Sequence, residues 1–212
     1  MTTGPPIPTL VYRITHIANV PWVLDHGLHC DTSPTRDPGF RAIGNPDLIG
    51  KRRARLVDAP PGGTLADYVP FYFGTHSRML YNIHTGWGVA KVDQAEIVHL
   101  VTSVERLTVN RAAFLFTDRH AYVAGASFIA DPARVGELAW DVIQSRSFRN
   151  DPERPERNHQ REAELLVHRH LPAEGLLGIA CYDEASRAAI LRHVESRSMS
   201  LPVEAQPNWY FR

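Results

Sequence analysis

Short strand-like runs alternate along this chain with short helix-like ones, without ever settling into a regular strand–helix–strand repeat. Residues 10–15 (LVYRIT) have the β-branched and aromatic content of a strand leading out of a proline-rich start. Asn19 then stands where a helix N-cap would, ahead of Val20-Pro21-Trp22, and Gly27 stands where a C-terminal cap would. Asn45-Pro46 opens a second helix, a cap followed by a first-turn proline, with Lys51, Arg52, Arg53 and Arg55 toward its end. Pro60-Pro61-Gly62-Gly63 breaks the chain, residues 68–73 (YVPFYF) read as a strand, and Ser77 caps a short helix ending near Gly86. Further strands are expected at 97–101, 114–117, 122–128 and 176–182, with a last one ending in Trp209-Tyr210-Phe211. Helices are expected at 131–144 and 184–196. With no βαβ succession, the pattern predicts an α+β fold. A single domain over 1–212 is expected, since 212 residues with 43% hydrophobic content suffice for one core.

Composition narrows the function classes. Lys plus Arg equals Asp plus Glu at 23 each, which argues against a stoichiometric nucleic-acid coat but allows a local basic patch. Only Lys51 and Lys91 are lysines, so nearly all the cationic groups are guanidiniums, whose planar forks suit phosphates and base edges. A GC-rich genome would produce the same skew. No apolar run approaches the roughly 20 residues of a membrane span, and the start lacks the pattern of a secretory signal, so a cytoplasmic protein is expected. Cys30 and Cys181 form no disulfide framework.

Familiar catalytic motifs are missing. His26, His29 and Cys30 cluster, as do His159, His168 and His170, but neither group has a second ligand pair at zinc spacing, and HExxH is absent. There is no G-x-S-x-G elbow, P-loop or G-x-G-x-x-G. Three features remain. Residues 12–19 (YRITHIAN) end a strand in polar groups at a helix start, a natural place for an amide or phosphate or merely a cap. Residues 51–55 (KRRAR) place cations near a helix end, where they are favoured in any case. Residues 161–168 (REAELLVH) read as a helix by propensity. As a strand, they would instead put Glu162, Glu164 and Leu166 on one face, with Leu165 and Val167 toward the core.

Taken in order, YRITHIANVPWVLDHGLHC, IGNPDLIGKRR, GGTLADYVPFYF, SRMLYNIH, FTDRHA and REAELLVH resemble the DarT family of DNA ADP-ribosyltransferase toxins, from about residue 10 to the terminal WYF. The resemblance implies two packed, mostly antiparallel sheets with peripheral helices and NAD held between them. It also implies transfer of ADP-ribose to a base, typically thymine, in single-stranded DNA, and a macrodomain antitoxin that removes the modification. On this view REAELLVH is a strand bearing the catalytic Glu164, despite its helical propensity.

Carried over residue by residue, the family's functional arginine falls at Arg52, or at Arg53 if the register slips by one. Arg13, Thr15, His16 and Asn19 match the first NAD-contacting segment, and Arg13 replaces a frequent His. Gly27 and Leu28 follow it, residues 28–50 are expected to fold over the adenosine side, and Tyr72 and Ser77 match the nicotinamide pocket. Arg146, Arg149 and Arg154 occupy the stretch where the acceptor is read, with Met79 and His120 as further DNA contacts. Glu164 would stabilise an oxocarbenium-like ribose and could help to relieve the target base of its proton. NAD is the expected co-substrate, with no metal, and a monomer is expected. The alternatives are the same fold acting on guanine, RNA or protein, and a non-catalytic nucleic-acid-binding module with Glu164 exposed on a helix.

Overall fold

A computed structural model describes residues 4–145 and 151–211. The strands are β1 (Leu10–His16), β2 (Leu28–His29), β3 (Tyr68–Tyr72), β4 (Ile97–Ser103) and β5 (Phe114–Thr117). They continue with β6 (Phe128–Ile129), β7 (Glu164–His168), β8 (His170–Leu171), β9 (Gly178–Cys181) and β10 (Val203–Ala205). The α-helices are α1 (Val20–His26), α2 (Pro46–Arg52), α3 (Arg78–Thr85), α4 (Val104–Val109), α5 (Trp140–Ile143), α6 (Arg157–Gln160) and α7 (Glu184–Glu195).

The α+β expectation holds, with one large sheet and one small one. Eight strands run in the order β10-β9-β4-β1-β3-β7-β5-β6, while β2 and β8 form a separate ribbon. All pairs are antiparallel except β9 with β10. The eight-stranded sheet is nearly two. β1 pairs with β4 along its whole length, but meets β3 only at Tyr12↔Tyr72. Away from that pair β1 and β3 make no ladder, so two four-stranded halves diverge and a cleft opens where the ladder would have run.

β7 lies inside one half, between β3 and β5. Leu165 and Val167 join the main core with Val11, Phe71 and Phe116, whereas Leu166 packs on the other face with Leu115 and Tyr68. Both faces are therefore apolar, and the strand reads as a nearly continuous hydrophobic run. Each side chain so buried contributes about 1.5–3 kcal/mol, enough to override a helical propensity of a few tenths per residue.

Several expected elements take other forms. Residues 122–128 do not make a strand: Gly125 turns the chain at φ 79°, and only Phe128–Ile129 pair, with β5. Residues 131–144 split into a 3-10 segment, Pro132–Glu137, and α5, because Leu138 is extended between them. The terminal aromatics follow the last strand instead of forming it, since Pro207 starts a 3-10 turn at Pro207–Trp209.

Candidate active site

Glu164 opens β7 at the point where the two half-sheets meet. Tyr12, Tyr72 and Glu164 form one register row across β1, β3 and β7. The Glu164 amide donates to Thr117 Oγ1 at 3.2 Å, and its side chain is 1% exposed. Arg52 Nη1 donates to both carboxylate oxygens, at 3.0 and 3.3 Å, and the Ala121 amide donates to Oε1 at 3.0 Å. Burial alone would raise this carboxyl, but the Arg52 charge and these hydrogen bonds outweigh it and hold the group below the ordinary carboxylate range.

Helix geometry separates Arg52 from Arg53. Asn45 caps α2 by accepting from the Asp47 and Leu48 amides, which fixes how the helix is set, and successive residues then point about 100° apart. Arg52 points inward to Glu164. Arg53 points outward and is paired through Nε with Asp31 at 2.6 Å. Arg13 enters from β1, donating to the Pro70 carbonyl at 3.1 Å. Burial, and then the neighbouring Arg52 charge, push its guanidinium down to about 10. Arg13 Nε and Arg52 Nη2 are both buried without a hydrogen-bond partner, leaving two cationic donors to one buried carboxylate. Such a site is prepared for an anionic or strongly polar ligand.

These groups face a cleft of about 480 Å³, within the usual range for a small-molecule site. Arg13, Thr15, Asn19, Gly27, Leu28, Tyr72, Met79, His120, Arg52 and Glu164, all singled out from the sequence, line it. Asn19 does not cap α1 with its side chain. It donates to Thr15 Oγ1 and the Arg41 carbonyl and accepts from the Arg41 amide, each at 2.9 Å, which ties the 30–44 loop over the cleft. Gly27 has φ 76° and ψ −168°, and a Cβ there would run into the Leu171 carbonyl and lie 2.6 Å from His170 Nε2.

Other candidates lie elsewhere. His16 is outside the cleft lining: its Nδ1 accepts the Ala18 amide at 3.0 Å and its Nε2 is 3.7 Å from Glu96. Ser77 is buried as the cap of α3, accepting the Leu80 amide. Arg154 is paired with Asp141 at 2.8 Å and faces solvent. Arg146 and Arg149 lie outside the described residues. The two histidine clusters do not close on a metal geometry; among the described residues, no three His, Cys, Asp or Glu side chains are grouped to hold an ion.

A second chamber of about 370 Å³ adjoins the first, and Tyr72, Met79 and His120 line both. Arg78, Tyr122, His159 and Glu162 add to its polar wall. His120 Nδ1 accepts the Tyr122 amide at 3.2 Å, so the nitrogen 3.7 Å from Glu164 carries a lone pair, and the ring N–H is on Nε2. The Ala121 amide left no trace in the sequence, because any residue supplies one. Glu162 was visible there only as an alternating neighbour of Glu164.

A family model described as "DarT: ssDNA thymidine ADP-ribosyltransferase" matches residues 12–211. A DNA ADP-ribosyl transferase of Escherichia coli O127:H6 (strain E2348/69 / EPEC) is 39% identical over 207 residues, covering 97% of this chain and 95% of that protein. The structure of Thermus sp. 2.9 DarT in complex with ADP-ribosylated ssDNA superposes with a TM-score of 0.91 at 32% identity, covering all of both chains. The same Thermus protein in complex with NAD+ matches with a TM-score of 0.84 at 32% identity, over 98% of this chain and 100% of that one.

Proposed function

This chain belongs to the DarT family of ssDNA thymidine ADP-ribosyltransferases, and we propose that its two adjoining chambers serve the two substrates, NAD in the larger and the target base in the smaller. The protein transfers ADP-ribose from NAD to thymidine in single-stranded DNA, releasing nicotinamide. The observation that supports this use of the chambers is the position of Glu164, buried in the wall of the larger one beside Arg52 and 3.7 Å from His120, which lines both.

Cleaving the nicotinamide–ribose bond builds positive charge on the ribose. A carboxylate held ionised in a buried site opposes that charge without reorganising, and Glu164 is so held by Arg52 and the Ala121 amide. Arg13 and Arg52, with donors still open, suit the diphosphate and ribose oxygens. Thr15, Asn19, Gly27 and Leu28 form the wall beneath the pinned loop, and Tyr72 stands at the reacting end. Met79 and His120 border the base, with the His120 Nε2–H as a donor for a base carbonyl. A macrodomain antitoxin that reverses the modification is the expected partner. No helix among the described residues is long and apolar enough to cross a membrane.

The test mixes the protein with NAD and short oligonucleotides of varied sequence and strandedness, followed by mass spectrometry. One ADP-ribose per thymine-containing single strand is expected, and none with Glu164→Ala. An adduct still formed by Glu164→Ala would overturn the role of that carboxylate. NAD neither bound nor consumed by the unaltered protein would overturn the assignment of the larger chamber.

A further inference from the structure

Attaching ADP-ribose to thymidine raises a proton problem. The glycosidic nitrogen of thymidine is already substituted, so its only ring N–H is the one between the two carbonyls, and a new bond at that nitrogen requires the proton to leave. Glu164 is poorly placed to take it. Both of its oxygens accept from Arg52, one also accepts from Ala121, and the carboxyl lies below the ordinary range, which makes it a weak base.

We propose that Glu162 is the proton acceptor for the target base. Its side chain is 14% exposed and lines the second chamber, two residues before Glu164 and on the far side of Tyr72 and His120 from the NAD cleft. The proposal rests on the reading of that chamber as the base site. The charged and titratable groups facing Glu162 are Arg78 from α3, with Nε at 3.7 Å, His159 from α6, Arg161 just after α6, His120 from the β5–β6 connection, Tyr72 from β3 and Glu164 from β7. Burial is the largest influence and pushes its carboxyl above the ordinary range against the pull of the Arg78 charge. It is therefore a stronger base than its neighbour. In the transfer step, the carbon–nitrogen bond to nicotinamide breaks with both electrons going to nicotinamide. The electron pair of the thymine N–H becomes the new bond to the ribose carbon, and the proton passes to the Glu162 carboxylate and then to water.

The experiment measures single-turnover transfer by Glu162→Gln to two oligonucleotides, one with thymine and one with 5-fluorouracil at the target position, between about pH 6 and 9, above the ordinary carboxylate range. The fluorinated base has the more acidic N–H and needs a protein base less. Transfer to thymine should fall by about 100-fold or more, the usual contribution of a positioned base. That deficit should shrink at least about tenfold with 5-fluorouracil, and shrink further as pH rises. Glu162→Asp should recover part of the thymine activity, and NAD titration of both variants reports folding independently of catalysis. A near-normal rate for Glu162→Gln, or a deficit equal for both bases at every pH, would overturn the assignment and leave the site's general function standing. Failure of the unaltered protein to modify any DNA would instead bring down the reading on which it rests.

Discussion

At Arg52 and Arg53 two adjacent guanidiniums have opposite environments, and they should respond differently to removal. Arg52→Ala strips the counter-charge from a carboxylate that is 1% exposed, and breaking a buried pair from one side typically costs about 3–5 kcal/mol. The Ala121 amide remains, which places the loss toward the lower figure. Transfer should fall by about 100-fold or more, as when a positioned electrostatic donor is removed. Arg53→Ala loses only a pair with Asp31 whose arginine is 58% exposed, so stability should hardly change. Thermal melts and adduct formation on the two variants check both statements, and equal effects would mean the helix is set differently. The resemblance favours Arg52 with Arg53 as the fallback, and the residues alone do not separate the two, because their separation depends on the rotation that Asn45 imposes on α2. It also put His16 and Ser77 at the ligand, where the chain uses both as caps. A cap and a ligand contact ask for the same polar side chain at a helix start, so residue type alone does not separate them.

Among the elements, the short ribbon of β2 with β8 gives the clearest case of backbone dictating sequence. Gly27, just before β2, adopts a combination of φ and ψ that is essentially restricted to glycine, with the Leu171 carbonyl packed where a side chain would start. Gly27→Ala should cost about 1–3 kcal/mol from backbone strain alone, before the clash is added. Because Gly27 and Leu28 line the cleft, NAD affinity should fall along with the melting temperature. An NAD titration and a thermal melt of this variant decide it; unchanged NAD affinity would remove the ribbon from the binding wall. The sequence marked this glycine as a cap but gave no sign of the ribbon, whose strands are two residues each and pair across the chain. β7 was hidden for a different reason. Burial on both faces blurs the alternation that identifies a strand, so the residues left a strand as the alternative to a helix and the family resemblance decided for it. β1, α2 and α3 were legible because their caps, prolines and β-branched runs act locally.

For the whole molecule, the split sheet concentrates chemistry at one seam, and the seam has a second tie on the β4 side. His99 lies on β4 opposite Ile14 and is fully buried. Its Nε2–H donates across to the Thr75 carbonyl at 3.2 Å, in the turn between β3 and α3, so the ring links one half-sheet to the other. Its Nδ1 is buried without a partner, and protonation would place an N–H there with nothing to accept it. Burial accordingly lowers this imidazole to about 4 from an ordinary value near 6.5. Between those values the unfolded chain binds a proton that the folded chain refuses. Stability from this group is thus complete above about pH 6.5, falls as pH drops toward 4, and levels off below. The slope in that window should approach about 1.4 kcal/mol per pH unit for one proton. Glu164 acts at lower pH in the same direction, since its depressed carboxyl gives stability that is lost as pH falls through its folded value. Urea unfolding at pH 7, 6 and 5 should show the decline, and His99→Gln, which keeps a side-chain N–H donor but cannot take up the proton, should flatten it even if its stability at pH 7 is lower. An unchanged slope in that variant would locate the acid sensitivity elsewhere than the seam.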